Sequence, residues 1–106
     1  MEVVADLLEK VSYQLVRTGL TSEKLVELVF EADGRDIDVR TQRESKRVAY
    51  PPLARLLADV GKRCGKDNVT VGQLRRITFS DQLIKLEFVG QHDRLQSHSY
   101  PIKVVA

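Results

Sequence analysis

Shifted by 49 positions against itself, without gaps, the chain lays one helix-and-hairpin pattern on another. Ala5 falls on Ala54, Leu7 on Leu56, Leu8 on Leu57, Val11 on Val60 and Thr21 on Thr70. Leu25 falls on Leu74, Phe30 on Phe79 and Gln42 on Gln91. Apolar character also matches at Leu28/Ile77, Ile37/Leu86 and Val39/Phe88. The 44 pairs from 1/50 to 44/93 hold eight identities, against roughly three expected from average composition. An internal duplication is one reading. The other is that two helix–hairpin units need the same binary pattern whatever their origin. Both give the same architecture, an α+β fold of two α-β-β units whose hairpins join in one antiparallel sheet, with two helices packed on its apolar face. The expected organisation is a single domain over 1–106, with a first unit over 1–48 and a second over 49–106 that adds a C-terminal strand.

The helices are the clearest elements. Leu53, Leu56, Leu57, Val60 and Cys64 fall at i, i+3, i+4, i+7 and i+11, the apolar stripe of an amphipathic helix. Val4, Leu7, Leu8, Val11 and Leu15 repeat that spacing between Glu2 and Thr18. Pro51-Pro52 suits a first helical turn, and Gly19 and Gly65 suit positions just past a helix end.

Lys24 to Arg40 admits two readings. Leu25, Val26, Leu28, Val29 and Ala32 could line a helix capped by Ser22 and ended by Gly34. A hairpin is the better one. A two-residue turn at Asp33-Gly34 sets Phe30 opposite Ile37, Leu28 opposite Val39 and Glu27 opposite Arg40, so apolar meets apolar on one face. A second hairpin turning at Asp81-Gln82 sets Phe79 opposite Ile84, Ile77 opposite Leu86 and Arg76 opposite Glu87. Thr70 and Gln73 stand at capping-box spacing just before it. Thr41 to Val48 reads as a connection or a short exposed strand, Gln91 to Ser99 as a loop, and Ile102 to Val105 as an edge strand following Pro101.

Composition removes several classes. With 42% hydrophobic and 30% charged residues the chain is globular, and no apolar run approaches the roughly 18 residues of a membrane span. One cysteine excludes an internal disulfide framework. No basic-then-apolar segment opens the chain, and the expected setting is the cytoplasm. Two histidines far from that cysteine argue against a structural zinc site, and no cofactor motif is present.

Net charge is only +2 but unevenly placed: residues 1–33 carry seven acids and three bases, residues 39–76 ten bases and three acids. Such asymmetry speaks about partners rather than fold. Arg43, Lys46 and Arg47 precede the central helix, Lys62, Arg63 and Lys66 end it, and Arg75 and Arg76 follow. Lysine and arginine clusters neutralise phosphates and release counterions, so this segment suits an acidic partner, nucleic acid first. Tyr50 is the one nearby aromatic for stacking on a base. Lys62, Arg63 and Lys66 would equally suit a helix C-terminus, or a merely solvated face.

Glu31 opposite Asp36, with Asp33, Asp38 and Glu27 near, makes an acidic outer face on the first hairpin. EADGRDID does not follow calcium-loop spacing, so no metal is expected there. In the repeat Glu27 becomes Arg76 and Asp36 becomes Lys85, giving the two hairpins opposite bias. A homodimer in which one subunit's acidic hairpin meets the other's basic hairpin is therefore the rival expectation, a protein-interaction or assembly module with no nucleic-acid role. Catalysis is not expected. Cys64 continues the apolar stripe, His92 and His98 lie in polar sequence, and no phosphate loop or nucleophile elbow occurs.

Overall fold

The computed structural model describes residues 3–31, 36–80 and 82–102. Helix α1 spans Val4–Arg17 and buries Val4, Leu7, Leu8, Val11, Ser12 and Leu15. Helix α2 spans Leu53–Lys66 and buries Leu53, Leu56, Leu57, Val60, Gly61 and Cys64. Both stripes are the ones the spacing expects, and the two helices begin and end 49 residues apart.

The helix ends correct two expectations. Pro52 caps α2 in an extended conformation (ψ 149°) instead of lying in its first turn. The helix also runs through Gly65, and the left-handed residue beyond its end is Asn68 (φ 56°). Gly19, 49 positions earlier, fills that role after α1 (φ 81°). Asparagine is among the few non-glycine residues that visit this region at modest cost.

Five strands form one antiparallel sheet: β1 (Leu25–Phe30), β2 (Ile37–Thr41), β3 (Leu74–Phe79), β4 (Leu83–Val89) and β5 (Leu95–Pro101), in spatial order β2-β1-β3-β4-β5. The hairpin registers are those expected: Phe30 faces Ile37, Leu28 faces Val39, Phe79 faces Ile84 and Ile77 faces Leu86. Asp33, Gly34 and Asp81 lie outside the described residues. Glu31 N–H donates to Asp36 O (3.1 Å) and Ser80 N–H donates to Leu83 O (3.0 Å), pairing the residues that flank each turn.

The hairpins join through their first strands. Leu28 faces Ile77, its own equivalent in the repeat, and Glu27↔Thr78 and Val29↔Arg76 flank it symmetrically. Register irregularities fall at Leu25/Glu27 and at Leu74/Arg76, again 49 apart. Leu25, Leu28, Phe30, Leu74, Ile77, Phe79, Ile84, Leu86 and Phe88 point to the helices and form one cluster with them. Each such side chain contributes about 1.5–3 kcal/mol by leaving water. The helices meet where Gly61 of α2 lies against Ala5 of α1, close enough that a Cβ on Gly61 would stand 2.8 Å from Ala5 Cα.

The C-terminal part differs from expectation. Gln91 to Ser99 is not a loop: a single 3-10 turn, Gln91–Asp93, leads into β5, which pairs with β4 along its whole length. The strand ends at Pro101 instead of following it, and only Ile102 of the segment expected as a strand is described; it is buried and donates its N–H to Gln82 O. Thr70 and Gln73 do form the reciprocal bond of a capping box (Thr70 N–H to Gln73 Oε1, 3.0 Å), but the turn is followed directly by β3. No helix among the described residues is long and apolar enough to cross a membrane.

Candidate anion-binding site

The eight basic side chains do not form one patch. Arg43 and Arg47 stand exposed in the connection from β2 to α2. Lys46 turns inward: its Nζ donates to Leu25 O and lies 5.0 Å from the Tyr50 ring centre. Tyr50 itself is buried, with its hydroxyl donating to Ser80 O, so its ring is part of the core and closed to a nucleobase. Arg75 folds back on the backbone, Nη1 donating to Gly72 O (2.7 Å).

Arg76 sits on the sheet face that no helix covers. There Glu27, only 7% exposed, is held between two arginines, Arg40 (2.8 Å) and Arg76 (3.6 Å). Lys85 is 3.6 Å from Glu87 on the same strand. Three charges considered for a contact between subunits therefore have partners inside one chain. Asp38 is exposed on β2, Asp36 is exposed just before it, and Glu31 is exposed just past β1. Among the described residues no group of three metal-ligating side chains assembles.

Lys62, Arg63 and Lys66 are the cations that share a site. They project from the last turns of α2 beside Tyr100, which β5 delivers from 34 residues further along the chain. Together they border a cavity of about 100 Å³ whose apolar floor includes Ile84, with Asp59 on its rim. The Arg63 guanidinium carbon lies 5.3 Å from the Tyr100 ring centre, a cation–π distance. Its Nε is buried 3.6 Å from Asp67 Oδ2, near enough for an ion pair but too far for a hydrogen bond. Asp67 instead meets His98 Nδ1 at 3.1 Å, and the His98 ring stands edge-on to Phe88 at 5.1 Å.

Two buried polar atoms here lack a hydrogen-bond partner among the described residues: Arg63 Nε and Tyr100 Oη. Burial, above all, pushes the Tyr100 hydroxyl well above the usual tyrosine range, so at neutral pH it is an O–H donor. Both atoms are donors closed to solvent, so neither opens onto the cavity. Lys62 and Lys66 are exposed and make no ion pair among the described residues. The negative end of the α2 dipole, worth about half a charge, opposes an anion here; Lys62, Arg63 and Lys66 against Asp59 and Asp67 leave a surplus of one positive charge over it.

Sequence reasoning found Lys62, Arg63 and Lys66 but missed Tyr100, because it took the preceding residues for a loop. The signal lay in the alternation of Gln96, His98 and Tyr100 on one face of a strand. Cys64, next to Arg63, is fully buried, and its thiol is pushed up to about 12 by burial and by the Asp67 carboxylate. That is the opposite of what a nucleophile needs. Comparison with family models, with curated proteins and with solved structures finds no match.

Proposed function

We propose that this protein is a non-catalytic binding module of the cytoplasm that docks on an acidic partner, nucleic acid foremost, through the C-terminal turns of α2 and the adjoining β5. The observation that carries this reading is the convergence of Lys62, Arg63 and Lys66, two of them without a counter-charge among the described residues, on one cavity beside Tyr100. Cationic side chains grouped in this way are complementary to phosphate oxygens. Arg43 and Arg47, exposed in the connection from β2 to α2, add two further cations outside this cluster. With Tyr50 sealed in the core, the reading relies on backbone phosphates, so binding should tolerate any sequence.

The test is fluorescence anisotropy with mixed-sequence single- and double-stranded DNA and RNA at low and physiological salt. Salt-sensitive binding that disappears in Arg43→Glu/Arg47→Glu/Lys62→Glu/Lys66→Glu supports the reading. Absence of binding at low salt removes it and passes the basic surface to the rival, a homodimeric or assembly module. The Glu27–Arg76 and Lys85–Glu87 pairs weigh against that rival in its hairpin-to-hairpin form, because those charges are partly neutralised already.

A further inference from the structure

We propose that β2 pairs edge to edge with β2 of a second copy of this chain, joining two five-stranded sheets into one around a two-fold axis through Val39. The inference goes beyond the anionic-partner reading and stands whether or not that reading holds. β2 is the outermost strand on its side of the sheet. Glu31 N–H donates to Asp36 O, so in the antiparallel register Asp38 and Arg40 turn their backbone groups to β1 as well. Ile37, Val39 and Thr41 therefore turn theirs outward, to an edge that no described strand covers.

The repeat shows what such an edge takes. Ile37 and Val39 correspond to Leu86 and Phe88 of β4, 49 positions on, and there the same edge is paired with His98 and Gln96 of β5. Beside that strand Phe88 is 6% exposed. Val39 has no such neighbour and is 38% exposed, although it lies opposite Leu28 on the helix side of the sheet. The first unit thus lacks the strand that completes the second. No segment among the described residues supplies it. β5 is already bound to β4, and the chain leaving β2 turns toward the start of β1, with Gln42 N–H donating to Lys24 O and Lys46 N–H to Glu23 O.

The strand's own sequence, Ile-Asp-Val-Arg-Thr, identifies the partner. Antiparallel pairing centred on Val39 sets Ile37 opposite Thr41 of the second copy and Asp38 opposite its Arg40. β-Branched residues then meet β-branched residues on the helix side, and each outward N–H meets a carbonyl. On the other side two pairs of opposite charge form, and such cross-strand pairs favour association. Sliding the strands by two residues sets Asp38 against Asp38 in one direction and Arg40 against Arg40 in the other, so charge selects the register. Asp38 is exposed and makes no ion pair among the described residues. Arg40 gives Nη1 to Glu27, and its guanidinium has further N–H donors for a second carboxylate. Charges guard an edge against foreign strands, but this alternation is complementary to its own image. The β5 edge offers no such code. Leu95, Ser97, Ser99 and Pro101 carry the outward backbone groups there, all uncharged, and the proline has no N–H.

Sedimentation velocity of the full chain over a concentration series is the test. A monomer–dimer equilibrium is expected, with nothing larger, because a two-fold contact closes on itself. Val39→Lys, at a site already open to water, should keep the fold, set two ammonium groups face to face at the axis, and leave the protein monomeric throughout. Asp38→Arg and Arg40→Asp each oppose like charges and should each weaken the dimer about tenfold. Mixed together, these two variants set arginine opposite aspartate at every charged position, and the heterodimer should regain wild-type affinity. That rescue reads the register separately from any loss of fold, which circular dichroism checks for each variant. A wild type that stays monomeric into the millimolar range, assembly beyond two copies, or a dimer that Val39→Lys leaves intact would overturn the proposal. So would a mixture that associates no better than its components.

Discussion

Alanine at Gly61 should destabilise the protein, while alanine at Gly65, one helical turn further on, should stabilise it. Both glycines lie inside α2. Intrinsic propensity favours alanine over glycine in a helix by about 1 kcal/mol at either place, somewhat less near the frayed end. The surroundings differ. A Cβ at Gly65 meets nothing within 4 Å, whereas one at Gly61 would stand 2.8 Å from Ala5 Cα and 3.1 Å from Ala5 Cβ. The obstacle is the backbone of α1, which cannot swing aside like the tip of a side chain, so the helices must move apart over a packed core. Overpacking of this kind costs about 1–3 kcal/mol. After crediting propensity, Gly61→Ala should lose up to about 2 kcal/mol and Gly65→Ala should gain about 0.5–1 kcal/mol. At roughly 4 °C per kcal/mol for a chain of this size, the two variants should differ by about 5–10 °C in Tm. Thermal and urea unfolding followed by circular dichroism read this directly. Equal stabilisation of both variants would refute the close approach of α1 and α2 at Ala5 and Gly61.

Other expectations follow from single residues. Gly19→Ala meets no neighbour within 4 Å, yet its φ of 81° disfavours any Cβ. It should cost about 1–2 kcal/mol in urea unfolding, the reverse of Gly65→Ala. Native Cys64 should resist alkylation at pH 8 and react only as fast as the core opens. The Cys64 thiol also sets a pH trend. Its folded pKa of about 12 lies above its ordinary 9.0, so the folded state holds the proton more tightly. The resulting stability is complete below pH 9 and is lost as pH rises from 9 towards 12. Between pH 8 and 10 the wild type should therefore lose about 1.4 kcal/mol more than Cys64→Ala, measured by urea midpoints. Glu27→Gln should cost about 1 kcal/mol, a modest figure because Arg40 and Arg76 are both well exposed to solvent.

Much of this architecture is legible in the sequence because local signals carry it. The stripes of α1 and α2 follow from helical periodicity alone, and each hairpin register follows from one assumed turn and the demand that apolar residues share a face. Leu28 opposite Val39 and Ile77 opposite Leu86 are examples. What local pattern could not supply is how the hairpins meet. No turn links β1 to β3, so their pairing is decided by tertiary packing. That pairing sets Arg76 beside Glu27 inside one chain, where opposite hairpin charges had suggested two subunits. β5 escaped because it is an edge strand exposed along most of its length, with Tyr100 alone half-buried and none of the apolar alternation that marks a half-buried strand. Missing the strand meant missing Tyr100, and with it the cavity. Glycine is the commoner helix stop, which favours Gly65 on local grounds, yet the repeat sets Asn68 and not Gly65 opposite Gly19. Tyr50 shows the remaining limit: its position among cations suggested a stacking platform, but the side chain is drawn inward to Ser80.

The most direct test of the binding reading is the salt dependence of affinity for mixed-sequence duplex DNA, compared between the wild type and Lys62→Gln/Lys66→Gln. Each phosphate neutralised contributes about −0.9 to the slope of log K against log salt. With Lys62, Arg63 and Lys66 all engaged, the wild-type slope should be about −3 or steeper. Loss of the two lysines should make it shallower by about 2 while the protein stays folded. An unchanged slope in that variant, or a wild type that does not bind at low salt, would contradict the account.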